Sequence, residues 1–383
     1  MEQVDFLGLD EQLTERERER RREVRSFVDE EVTPVIADYY ERGAFPRQFV
    51  GRMAELGLIG MKLPDFGDAG SVEYGLTCQE LERGDTALRS YLSVVSSLVM
   101  EPIARFGTPE QRKRWLAPLA RGEAIGAFGL TEPAAGSDPA HMKTTAVREG
   151  DGWVINGVKR WISFGSIADV VLVWARTDEG MRGFLVEKGL PGFSARDIER
   201  LLSYRASLTS TLVFEDVRVS EADRLPGAEG LKAPLSILNG GRLGIAWGAM
   251  GAAIDCYQRA RDYATKRVQF ERPIASFQLI QQKLVKMLTE ICKGQMLALQ
   301  VSRLAEDEKA TPAQISMAKM NNVAEALKIA REARSVLGGN GVSGDFHVMR
   351  HMCNLESVYT YEGTNEVHTL LIGAAITGHQ AFK

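Results

Sequence analysis

The chain has 383 residues, 44% of them hydrophobic, and a formal net charge of −4 with only four cysteines. It is long enough for two or three cores and offers no basic field for nucleic acid. Cys78, Cys256, Cys292 and Cys353 are too scattered for zinc pairs or a disulfide framework, as expected of reduced thiols in a cytoplasmic setting.

Near the N-terminus, Glu2, Asp5, Asp10 and Glu11 are unlike a basic targeting leader. No apolar run reaches the ~18 residues of a membrane span, so a soluble, untargeted chain is expected. Residues 15–25 alternate in charge like a solvated helix. Residues 22–40, 48–56, 74–83 and 86–105 carry apolar side chains three and four apart, which predicts helices, with Leu88, Leu92, Val95 and Val99 as one stripe. Thr108, Pro109 and Gln111 form a helix-starting cap. From 126 to about 225 the runs shorten and become β-rich, at 152–162, 169–176, 183–187 and 211–219, predicting an antiparallel sheet, barrel or sandwich. The helical period returns from 235. Thr311, Pro312 and Gln314 repeat the cap before a helix that carries Ala326, Ala330, Ala333 and Leu337 and stops at Gly338 and Gly339. The expected fold is mainly α with a β-domain: helical 1–123, β 124–232, and a helical bundle 233–383.

Several segments are candidates for chemistry. Glu362, in Tyr361-Glu362-Gly363-Thr364, follows Tyr359, Thr360 and Tyr361, neighbours that hydrate a carboxylate poorly and raise its pKa toward that of a useful base. The alternative is a solvated glutamate before a helix capped by Thr364. Residues 128–139 offer hydroxyls and backbone amides for a polar ring edge or phosphate, or form an ordinary loop. Trp161 either walls a planar ligand or fills a core. Arg267, Gln269, Phe270, Phe277 and Gln278 suit a diphosphate and an adenine, or mark a solvated helix end with both phenylalanines in the core. Arg242, after Leu238 and Asn239, meets an anionic ligand or pairs with a surface acid. Arg89 shares a face with Glu82 if one helix runs through both; its guanidinium then reaches a substrate carboxylate or sits in an exposed ion pair. His347 and His351 lack an accompanying zinc-helix acid and read as structural, so no metal is expected.

Taken together and in this order, residues 128–139, Trp161 to Ser163, Arg267 to Phe270, Leu337 to Gly341 and Glu362 to Thr364 resemble the acyl-CoA dehydrogenase family across nearly the whole chain. Within it, Arg89-Ser90, residues 96–100, residues 244–248, Tyr361-Glu362-Gly363-Thr364 and residues 375–382 are most similar to the branch that acts on glutaryl-CoA. The resemblance implies a C-terminal four-helix bundle and a homotetramer with one FAD per subunit and electron-transfer flavoprotein as acceptor. It places Phe128, Leu130, Thr131, Gly136, Ser137, Trp161, Ile162, Ser163 and Thr364 against the flavin of their own subunit. Arg267, Gln278, Gly338 and Gly339 would reach the FAD of a neighbour, with Phe270, Leu337 and Glu366 completing the cofactor set. Glu362 would take the α-proton. Arg89, oriented by Glu82, would hold a distal carboxylate beside Ser90 and Tyr361, while Ser137, Leu238, Asn239, Arg242 and Gly363 line the substrate. Negative charge developing on the thioester oxygen would need donors, each worth about 3 kcal/mol of barrier. Ser163 stands where the family usually has threonine, and Phe164-Gly165 replaces the more usual polar and small pair.

Overall fold

The computed structural model describes residues 4–382, so Glu2 lies outside it. The first seven helices are α1 (Glu15–Phe27), α2 (Ile36–Arg42), α3 (Gln48–Glu55), α4 (Ser71–Gly84), α5 (Thr86–Leu92), α6 (Glu101–Phe106) and α7 (Pro109–Ala120). Thr14 and Glu17 cap α1 reciprocally, as Thr108 and Gln111 cap α7. The single helix expected over 22–40 is instead two: a wide π turn at Val28–Val32 leads into Thr33-Pro34, and proline cannot continue the ladder. The charged stretch 15–25 is not simply solvated either. Arg21 and Arg25 reach Glu80, whose carboxylate is fully buried on α4, at 3.3 and 2.9 Å.

Eight strands follow: β1 (Gly126–Gly129), β2 (Thr145–Glu149), β3 (Gly152–Ser163), β4 (Val170–Thr177), β5 (Gly180–Glu187), β6 (Phe193–Asp197), β7 (Thr209–Ser220) and β8 (Arg224–Glu229). They form one sheet in the order β6-β7-β3-β2-β4-β5-β8, with β1 attached to β4. The pairings are antiparallel except that β1 and β2 run parallel to β4, a departure from the purely antiparallel expectation. A register shift in the β3–β7 pairing between Lys159 and Ile162 makes a bulge at Trp161. Below it, Lys159 Nζ binds Glu132 Oε1 at 2.9 Å and the Leu130 carbonyl at 3.1 Å, while Glu132 accepts the Thr144 amide at 2.9 Å. This buried pair ties the 130–144 loop to the sheet.

The C-terminal part consists of α8 (Lys232–Lys266), a small hairpin of β9 (Val268–Gln269) and β10 (Arg272–Pro273), then α9 (Gln278–Glu306), α10 (Pro312–Val336), α11 (His347–Thr360) and α12 (Asn365–Thr377). Helices α8 to α11 pack as a bundle, α12 lies on α10, and α8 also packs along α4. The α4–α8 approach depends on small residues. A side chain at Gly251 would collide with the Gln79 carbonyl, and one at Gly248 would run into Glu82. Asp255 on α8 accepts from His347 at 3.2 Å, lies 3.3 Å from His351, and pairs with Arg259 at 2.8 Å. One carboxylate oxygen thereby joins α8 to α11. No helix among the described residues is long and apolar enough to cross a membrane, and the four cysteines are unpaired.

Candidate active site

The site is assembled where α4 and α5 meet the α11–α12 turn. Helix α4 ends at Gly84 because Asp85 adopts an extended backbone and caps α5 through the Ala87 amide at 2.9 Å. Glu82 and Arg89 therefore sit on two helices and not on one continuous face. They still pair, Nε to Oε2 at 2.6 Å, with side chains 0% and 1% exposed, so the exposed ion pair is ruled out. Thr86 donates to the other Glu82 oxygen at 3.0 Å. Burial opposes the Arg89 charge, but Glu82 and the Tyr361 hydroxyl more than offset this and hold the guanidinium protonated. Arg89 donates to the Tyr361 hydroxyl and faces the Tyr361 ring, 5.6 Å from its centroid. Ser90, next in α5, is buried.

Glu362 lies in the short turn between α11 and α12, with φ 51° followed by φ 102° at Gly363. Left-handed backbone is costly for a non-glycine residue, and two cations secure it here. Arg242 Nε donates to the Glu362 carbonyl at 2.9 Å, and Lys319 Nζ to the Gly363 carbonyl at 2.8 Å. Arg242 is thus buried and not paired with a surface acid; it also donates to Asn239 Oδ1 at 3.3 Å. Thr364 caps α12 through the Val367 amide at 3.3 Å. Glu362 Oε2 is buried and has no hydrogen-bond partner among the described residues. Burial raises the Glu362 pKa, with Arg89, Arg242 and Lys319 pulling the other way. The site therefore holds a half-buried carboxylate with one oxygen withdrawn from solvent, and not the freely solvated glutamate of the alternative reading. Gly241 matters directly, because any side chain there would meet the carboxylate.

Lys319 carried no sequence signal, being one lysine between Ala318 and Met320 in the middle of α10. Burial brings its pKa down to about 7. A lysine cation favours ionised Glu362, so Lys319→Met is expected to raise the glutamate pKa and move the acid limb of the kcat–pH profile to higher pH. It should also lower kcat about tenfold by loosening the turn. An unmoved limb would assign Lys319 to packing alone.

The remaining candidates fall into two groups. Phe128 and Leu130 lie at the end of β1 and just beyond it, Thr131 bonds Arg160 through its carbonyl at 2.9 Å, and Gly136 and Ser137 are exposed in the loop that follows. The bulge gives Trp161 φ 65° and leaves it 53% exposed, so it is not a core tryptophan. Ile162 is buried and Ser163 half-buried. In the second group Arg267 and Gln278 are exposed at the two ends of the hairpin segment. Phe270, 88% exposed at φ 51°, is also outside the core. Leu337 is buried, while Gly338 and Gly339 have open space where a side chain would stand. Asn340 joins this turn to α8 by donating to the Tyr263 hydroxyl at 3.1 Å. Glu366 is exposed on the first turn of α12. Among the described residues, no hydrogen bond or ion pair links one group to the other. Exposed aromatic rings and open glycines in both groups fit a long, flat, partly anionic cofactor.

Such a fold, with an unpartnered buried carboxylate oxygen in a helix–helix turn and two sets of open aromatic and glycine residues, suits an enzyme that works with a planar cofactor. Models of the N-terminal, middle and C-terminal domains of acyl-CoA dehydrogenases match residues 14–123, 127–217 and 228–377, and the chain belongs to that family. It is 36% identical over 378 residues to the short-chain-specific acyl-CoA dehydrogenase of Clostridium acetobutylicum, covering 96% of this chain and 100% of the relative. A crystal structure of glutaryl-CoA dehydrogenase from Mycobacterium smegmatis matches with TM-score 0.97 and 52% identity, over 99% of each chain. A second glutaryl-CoA dehydrogenase from the same organism, in complex with FADH2, matches with TM-score 0.98 and 47% identity, again over 99% of each.

Proposed function

We propose that this acyl-CoA dehydrogenase oxidises glutaryl-CoA and decarboxylates it to crotonyl-CoA and carbon dioxide. The observation that carries the reading is the buried Arg89–Glu82 pair beside the turn that presents Glu362. A guanidinium in an apolar wall is a costly feature for a site that takes only hydrocarbon chains, and it suits an acyl chain ending in a carboxylate. The 52% identity to a glutaryl-CoA dehydrogenase supports the same reading.

Glu362 takes the proton α to the thioester. FAD, when bound, supplies the acceptor for the β-hydride. The glutaconyl product then loses its distal carboxylate as carbon dioxide, its electrons pass into the conjugated thioester, and protonated Glu362 returns a proton to the dienolate. Phe128, Leu130, Thr131, Gly136, Ser137, Trp161, Ile162, Ser163 and Thr364 would hold the flavin of their own subunit. Arg267, Phe270, Gln278, Leu337, Gly338, Gly339 and Glu366 complete the cofactor set, with Arg267, Gln278, Gly338 and Gly339 reaching the FAD of a neighbouring subunit in a homotetramer. We assign the electrons to an electron-transfer flavoprotein, the location to the cytoplasm, and the domains to 1–123, 124–232 and 233–383.

The second reading, a dehydrogenase of unsubstituted short acyl chains, rests on the likeness to the Clostridium enzyme. Anaerobic incubation with glutaryl-CoA and an artificial acceptor, followed by mass analysis of the CoA products, separates the two. Crotonyl-CoA is the expected product. Glutaconyl-CoA would remove decarboxylation while keeping the dicarboxylic substrate, and no product would favour the short-chain reading.

A further inference from the structure

The 198–208 loop of the β-domain packs against α11 and the α11–α12 turn beside α5, and it does so in strained backbone. Arg200, Tyr204 and Leu208 all have left-handed φ, at 60°, 57° and 50°. Three such residues within nine persist only where the surroundings over-determine them, and the clamps are visible. Arg205 donates to the Tyr40 carbonyl at 2.8 Å and to the Glu41 carbonyl at 2.6 Å. Ser203 meets Ser357 of α11 at 2.5 Å. The Tyr204 amide donates to Asn354 Oδ1 at 2.8 Å, and Asn354 in turn donates to Asp85 at 3.1 Å, the residue that breaks α4 from α5.

These clamps deliver one side chain into the site. Tyr204 is 5% exposed, and its ring packs against Tyr361 at 5.9 Å and 60°. Its hydroxyl donates to Ser163 Oγ at 3.3 Å, longer than an ordinary O–H···O bond, and Ser90 and Arg89 also face it. Phenylalanine would pack as well, so a hydroxyl held by a strained loop beside an arginine and the hydroxyls of Ser163, Ser90 and Ser207 is a polar group placed where a polar part of a ligand can be met. Charge arithmetic identifies that partner. Glu82 already neutralises Arg89, so an entering carboxylate brings an unmatched negative charge that neutral donors have to meet.

We propose that Tyr204 is a specificity-determining residue whose hydroxyl donates to the distal carboxylate of the acyl chain, next to the guanidinium of Arg89. This rests on the dicarboxylic acyl thioester reading given above. It adds a β-domain side chain to the site: when the single Tyr204 proton goes to the carboxylate, the Ser163 hydroxyl turns to donate to the Tyr204 oxygen, so that the flavin-side residue Ser163 and the carboxylate end of the substrate meet at one side chain.

The test is steady-state turnover of the flavin-loaded wild type and Tyr204→Phe with glutaryl-CoA and butyryl-CoA. The kcat/KM ratio, glutaryl over butyryl, is expected to fall about tenfold in Tyr204→Phe, as befits one hydrogen bond to a charged group, with the flavin absorption spectrum unchanged. Tyr204→His, which restores a donor on a planar ring, is expected to recover part of the ratio and serves equally if the phenylalanine variant folds poorly. A wild type that prefers glutaryl-CoA and a Tyr204→Phe enzyme that keeps the full preference would overturn the role of Tyr204 alone. Parallel losses on both substrates would do the same. A wild type that does not use glutaryl-CoA would overturn the substrate reading and this proposal with it.

Discussion

Replacing Glu362 with glutamine is expected to cut turnover about a thousandfold or more while leaving the FAD content and the fold intact. Glutamine keeps the size of the side chain and the left-handed turn, and the contacts that hold this turn run to main-chain carbonyls: Arg242 to that of Glu362 and Lys319 to that of Gly363. What is lost is the only group in the turn able to accept a proton, and general-base catalysis supplies roughly 10² to 10⁴ in rate. In the unaltered enzyme the carboxylate must be ionised to act. Burial raises its pKa, so kcat/KM should climb with pH above the ordinary glutamate range. Stopped-flow bleaching of the flavin by acyl-CoA measures both effects. Bleaching by the glutamine variant at a rate near that of the wild type would remove Glu362 from the role of base.

The second large effect is expected at Arg89. Substituting it alone would strand Glu82, which is fully buried, and breaking a buried pair costs about 3–5 kcal/mol of stability. Loss of activity could then reflect unfolding. The informative variant is Glu82→Gln with Arg89→Met, which removes both charges and leaves Thr86 a partner at position 82. If the guanidinium binds a distal carboxylate, its removal costs about 3 kcal/mol of binding in the transition state, or about a hundredfold in kcat/KM for glutaryl-CoA. Butyryl-CoA, with no carboxylate to lose, should fall much less. Equal falls on both substrates would show that the pair only supports the break between α4 and α5.

The two predictions differ in how far the residues announced them. Glu362 stood out because the residues before it, Tyr359, Thr360 and Tyr361, suggested a poorly hydrated carboxylate, and the burial of its Oε2 atom in the structure agrees with that local argument. Arg89 and Glu82 were also visible as a pair, but for a reason that did not survive. A shared face on one helix left an exposed pair and a substrate-facing guanidinium both open, whereas a break at Asp85 puts them on two helices and the close approach of α8 at Gly248 buries them. Phe270 and Trp161 were assigned to the core as the alternative, because hydrophobicity alone cannot tell an aromatic ring that packs inside from one held outward by left-handed backbone.

Local signals, in the form of caps, helical period and glycine stops, were enough to order the chain as helices, sheet and helices, and to single out a carboxylate in a turn. These are nearest-neighbour effects, written within four or five residues of where they act. Arg242 and Lys319 clasping the Glu362 turn, and Tyr204 arriving from a β-domain loop 157 residues before Tyr361, join residues far apart in the chain. Only the tertiary structure decides such contacts, since they depend on where whole helices and a strained loop come to rest against one another, and no local pattern encodes that distance.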